Sequence, residues 1–179
     1  RVWHWVMAGC MVVLGITGYL IGTPPPSLGG EASEHFLLGY IRFAHFAAAY
    51  TFAVVFAWRV VWAFFGNRYS REIFLVPLKM FTAEFWRGFF HQVQHYLFIR
   101  KEGQPWLGHN PLAMSAMGFM YALGTVFMVV TGFALYGQSN PAGLIRRAFA
   151  WVPALAGGIQ MVRFIHHVFT WAFLIFIPI

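Results

Sequence analysis

Gly39-Tyr40-Ile41-Arg42-Phe43-Ala44-His45 stands at the head of the apolar run Phe43 to Trp58, which carries no formal charge. His45 therefore falls well inside a span, with Arg42 one helical turn nearer the surface. The figure recurs downstream as Arg163-Phe164-Ile165-His166 and at the start of the chain as Arg1-Val2-Trp3-His4. Each arginine precedes its histidine by three residues, so both project from one helix face. Ionisable residues inside membrane spans are rare and costly, and mark functional sites. Neutral imidazole is an axial ligand for haem iron. An arginine one turn away suits the haem propionates.

Composition agrees with a membrane protein. The 179 residues are 60% hydrophobic and 20% aromatic, with 9% charged, against about 25% charged in soluble domains. The formal charge is +7 and there is no aspartate. The basic residues are dispersed among loops and span ends, which fits a positive cytoplasmic face and gives no footprint for nucleic acid. Cys10 is the only cysteine. It excludes an internal disulfide, a Cys-x-x-Cys-His haem attachment and a cysteine-ligated iron–sulfur cluster within this sequence. Any haem here is held without thioether links.

Hydropathy and punctuation predict an all-α integral membrane protein: a four-helix transmembrane bundle with an interfacial amphipathic helix, as a single domain over 1–179. Both ends read as cut, since no Met opens the chain and the final run, Phe164 to Ile179, is shorter than the ~20 residues of a full span. Span one is expected over Val2 to Ile21, with Gly9, Gly15 and Gly18 read as helix-packing residues beside Thr17. It stops at Gly22-Thr23-Pro24-Pro25-Pro26. Span two is expected over Phe36 to Phe65, with Arg59 and Trp58, Trp62, Phe64 and Phe65 at its far interface. The connection Gly66 to Asn110 carries Phe81, Phe85, Trp86, Phe89, Phe90, Val93, Tyr96 and Leu97 at helical spacing. That pattern predicts the interfacial helix; a helix packed under the bundle is the alternative. Span three is expected over Pro111 to Tyr136 and span four from about Val162.

The loop Ser27 to Glu34 holds no Lys or Arg. The second connection holds Arg68, Arg71, Lys79, Arg87, Arg100 and Lys101, and the third Arg146 and Arg147. The positive-inside rule places the second connection and the N-terminus in the cytoplasm. Spans two and four then run inward in parallel, so His45 and His166 lie at similar depth and can clamp one haem. His4 lies nearer the cytoplasmic face. Its partner is expected about 14 residues past His166, if two irons stand ~20 Å apart at 1.5 Å per residue. His166 is preferred over the adjacent His167 because only it has the arginine three residues before it. The bland reading is that these histidines merely hydrogen-bond other helices. His35 reads as a loop residue, and His91 and His95 as a polar helix face or a metal pair. His109-Asn110-Pro111 reads as a helix cap or, in the functional reading, as a quinone-site polar group.

The sequence resembles the cytochrome b subunit of membrane-bound nickel–iron hydrogenases. The matching stretches are Arg1-Val2-Trp3-His4-Trp5, Thr17-Gly18-Tyr19, Gly39 through His45, Gly66-Asn67-Arg68-Tyr69-Ser70-Arg71-Glu72, Gly108-His109-Asn110-Pro111 and Thr131-Gly132-Phe133-Ala134-Leu135-Tyr136. The resemblance implies a multi-pass protein of the bacterial inner membrane with its N-terminus in the cytoplasm and two haems b. It implies electron transfer from a periplasmic hydrogenase, through its small iron–sulfur and large subunits, to the quinone pool. Hydrogen activation would then reside on the partner chains of a hydrogen:quinone oxidoreductase. Iron ligands carry over to His4, His45 and His166. Where the family often has a histidine three residues before the ligand in span four, this sequence has Arg163, which leaves His166 and His167 both open. Formate dehydrogenase and thiosulfate reductase membrane subunits are similar in design, and a haem-free membrane anchor is the remaining alternative.

Overall fold

The computed structural model describes residues 2–26, 35–72, 74, 76–103, 105–106 and 109–176. Among them all regular structure is helical. Arg1, the Ser27 to Glu34 loop and Gly108, each used in the sequence reading, lie outside the described residues.

Four helices are long and apolar enough to cross a membrane: α1 (Val2–Gly22), α2 (Leu37–Phe65), α4 (Pro111–Ser139) and α5 (Ile159–Phe176). Between α2 and α4 lies the amphipathic α3 (Ala83–Tyr96). Large apolar side chains stand exposed along the spans, among them Trp5, Val12 and Ile16 on α1, Phe43 and Val54 on α2, and Val168, Trp171 and Ile175 on α5. Leaving such a side chain in water forgoes about 1.5–3 kcal/mol of burial, so this surface belongs in lipid. The chain is a multi-pass membrane protein.

The residues form two compact units, Arg1–Arg59 with Met128–Ile179, and Val60–Phe127. In the first, contacts fix an antiparallel ring. Thr17 of α1 meets His45 of α2, and Trp3 lies under the Arg59 guanidinium, 5.4 Å from ring centroid to charge centre. Arg59 is thereby buried against α1. Phe46 and Tyr50 of α2 meet Tyr136 and Phe133 of α4 edge-on at 4.8 and 5.2 Å. Tyr19 of α1 meets Trp171 of α5. The helices α2 and α5 run parallel, each packed on both α1 and α4.

The third connection is more ordered than expected. Short helices at Leu144–Ala148 and Trp151–Ala156 replace a plain loop. Gly157 and Gly158 then take positive φ of 84° and 123°, a region open to glycine at little cost. This tight exit lets α5 begin at Ile159, ahead of the expected Val162. Val162, fully buried, closes a core with Ala134 and Val152.

In the second unit α3 is capped by Thr82, whose hydroxyl accepts from the Phe85 amide at 3.3 Å. It buries Phe85, Gly88 and Gln92, one stripe at helical spacing. Gly88 is required there, because a Cβ would stand 2.8 Å from Trp106 and 2.9 Å from Pro111. Val76, Phe85 and Met114 form the core, so α3 packs on the first turns of α4 while Trp86 and Phe90 stay exposed. Asn110 caps α4 as expected: its Oδ1 accepts from the Ala113 amide at 2.8 Å, with Pro111 in the first turn. A π-helical stretch, Met117–Leu123, follows.

Candidate functional site

Both histidines expected to share one level are held from a neighbouring helix by a threonine. Thr17 Oγ1 on α1 lies 2.9 Å from His45 Nδ1. Thr131 Oγ1 on α4 lies 2.8 Å from His166 Nδ1. Both threonines are buried. The residue after each is glycine, and a Cβ on Gly18 or Gly132 would stand 3.4 Å from Cε1 of the corresponding ring. Among the described residues no hydrogen bond engages Nε2 of either ring.

His167 points elsewhere. A Cβ on Gly22 would come within 2.9 Å of its Cε1, and its ring lies edge-on to Trp171 at 6.3 Å. The roughly 100° between adjacent helical residues sends His166 to α4 and His167 to α1. His4 is exposed between Trp3 and Trp5, whose ring centroids lie 6.2 and 5.5 Å away. About 20 Å of helix separates it from Thr17, at 1.5 Å per residue. His4 is therefore not brought to the level of His45 and His166.

The two arginines are exposed near the ends of their helices. Arg42 lies over the Phe46 ring at 5.9 Å, and Arg163 donates to Gln160 Oε1 at 2.7 Å. Of the remaining histidines, His109 Nδ1 lies 3.4 Å from Glu72 Oε2, and His95 Nδ1 lies 3.1 Å from the Arg100 carbonyl oxygen. Among the described residues no three metal-ligating side chains gather.

Sequence reasoning missed Thr17 and Thr131 as histidine partners and took Gly18 as helix packing alone. A signal was present. Thr17-Gly18-Tyr19 and Thr131-Gly132-Phe133 repeat one Thr-Gly-aromatic figure, once in span one and once in span three.

A ring of antiparallel membrane helices enclosing two threonine-held imidazoles is an arrangement suited to a membrane cytochrome. The chain belongs to the prokaryotic cytochrome b561 family, whose description matches residues 1–179. It is 48% identical over 180 residues to a probable Ni/Fe-hydrogenase B-type cytochrome subunit of Azotobacter chroococcum, covering 100% of this chain and 74% of that protein. A protein of the same description from Cupriavidus necator is 46% identical, over 99% of this chain and 72% of its own length. The Escherichia coli probable Ni/Fe-hydrogenase 1 B-type cytochrome subunit is 49% identical over 140 residues, 78% of this chain and 58% of that protein.

Proposed function

We propose that this chain is the haem-b membrane subunit that carries electrons from a periplasmic nickel–iron hydrogenase to the quinone pool of the bacterial inner membrane. The observation that carries this reading is the pair His45 and His166, each with Nδ1 tied to a threonine and Nε2 uncommitted, in a chain 41–49% identical to proteins described as Ni/Fe-hydrogenase B-type cytochrome subunits. The donor set fits the group: two imidazoles would supply two nitrogens to its iron, and a sequence with one cysteine offers no thioether attachment.

Bound haem b supplies the one-electron carrier. His45 and His166 hold it at one level, with Arg42 and Arg163 available to its carboxylates by side-chain rotation. His4, about 20 Å along α1, serves a second haem nearer the cytoplasmic face. Hydrogen is activated on the partner's large subunit, and its iron–sulfur subunit docks at the outer face. Quinone is reduced toward the cytoplasmic side, where His109 and Glu72 supply titratable groups. The N-terminus lies in the cytoplasm, in accord with the six basic residues of the second connection.

A reduced-minus-oxidised absorption spectrum of the purified chain is expected to show a b-type haem. A spectrum without one would leave only a membrane anchor. Co-purification with the hydrogenase subunits tests the partner, and impermeant labelling of the Ser27 to Glu34 loop in the cytoplasm would overturn the proposed orientation.

A further inference from the structure

We infer that Thr17-Gly18 and Thr131-Gly132 are two copies of one positioning device: the hydroxyl fixes the Nδ1–H tautomer of the opposing histidine, and the glycine lets its ring lie close against the helix, so that Nε2 is presented as ligand with set orientation and basicity. This rests on the reading that His45 and His166 hold haem.

A threonine hydroxyl has one proton and two lone pairs. Thr17 donates its proton to the Val13 carbonyl oxygen at 2.6 Å, and Thr131 donates to the Met128 carbonyl oxygen at 3.3 Å. Each oxygen is left to accept, so Nδ1–H of His45 and His166 donates and Nε2 carries the lone pair. Which imidazole nitrogen binds metal is set by the hydrogen bond of the other.

Glycine completes the cradle. A Cβ would stand 3.4 Å from Cε1, the near edge of ordinary van der Waals contact, so Cε1 lies close to a helix backbone while Nδ1 is held by the residue before it. Two such contacts, on adjacent atoms, fix the plane of the ring. Chain continuity does not force the arrangement. The two hydrogen bonds span 28 and 35 residues, through unlike connections, and still join Thr-Gly to histidine in the same way. Ordinary close packing by small residues would require neither the hydroxyl nor the repeated pairing with Nδ1.

A hydrogen bond accepted from Nδ1–H makes the imidazole a more basic ligand. A more basic ligand stabilises the oxidised iron, which bears one more positive charge, and so lowers the reduction potential. Thr→Val keeps the shape and removes the acceptor. Thr→Ser keeps the acceptor and removes a methyl group.

The test uses the full-length protein with its partner subunits and reads haem content, midpoint potential and the ferric low-spin electron paramagnetic resonance signal. Thr17→Val and Thr131→Val are expected to raise the midpoint and shift that signal, or to lower haem content, while the Ser variants match the parent. Val variants with unchanged midpoint and signal, or Ser variants as impaired as Val, would overturn the device. His45→Ala and His166→Ala separate it from the reading beneath it. Haem retained in full by these alanine variants removes the ligand assignment itself; haem lost there with silent Val variants removes only the threonine role.

Discussion

The α1–α2 hairpin and the α4–α5 hairpin hold their histidines with the same residues but set them in different surroundings. In both, the threonine hydroxyl also turns to carbonyls of its own helix, Thr17 to Val13 at 2.6 Å and Leu14 at 3.5 Å, Thr131 to Met128 at 3.3 Å. His45 has no histidine beside it, whereas His166 is followed by His167, which packs toward α1. The two arginines also differ, Arg42 resting on an aromatic ring and Arg163 on a glutamine. What recurs is the imidazole with its threonine and glycine. What varies is the scaffolding around it. A site made twice from different surroundings is constrained at the ligand and free elsewhere.

The strongest way to break the comparison is to remove the ligands. His45→Ala and His166→Ala are each expected to abolish binding of the haem they share while leaving membrane insertion intact, because insertion follows the apolar length of the spans. Haem quantified per purified protein checks this, and full haem in one variant alone would mean that the two hairpins are not equivalent. His167→Ala, by contrast, should keep haem, since its ring is turned toward Gly22.

A smaller effect is expected from the arginines. Removing a positive charge favours the oxidised, more positive haem, so Arg42→Gln and Arg163→Gln should lower the midpoint, by something on the order of 1 kcal/mol if the charge lies ~10–15 Å from the iron at an effective dielectric near 20. Redox titration in one detergent measures it. Equal shifts would extend the equivalence of the hairpins outward to the arginines. A shift at neither would leave them as lipid-facing residues that snorkel to head groups.

The smallest expected change at the histidines serves as a control. Asn110→Ala removes the cap on α4 in the other unit and should cost about 1 kcal/mol of stability, seen as a lower thermal midpoint. The haem potential should not move. If it does, potential reports general loosening, and the differences between hairpins lose their local meaning.

Much of the arrangement was legible beforehand because membranes impose simple physics. Backbone groups must be satisfied internally in lipid, so long apolar runs read as helices, and four were placed within a few residues of their observed bounds. The cap at Asn110 was legible for a similar reason: a side-chain acceptor before Pro111 has one local use. The short helices of the third connection were not. The second of them packs Val152 on Ala134 and Val162, which come from the helices before and after the connection. Nor was the burial of Arg59, which depends on Trp3 arriving from another helix.

The sequence alone determined that this is a helical membrane protein and which histidines fall inside its spans; from it His45 and His166 are expected to lie at one depth. Period and hydropathy are local properties, and a single helix carries them. Only tertiary structure decided what the histidines touch. A Thr-Gly pair in an apolar run reads as helix packing until another helix brings an imidazole to it. The antiparallel ring sets Thr17 opposite His45 and Thr131 opposite His166. Without that ring, nothing in either segment distinguishes a structural glycine from one that makes room for a ligand.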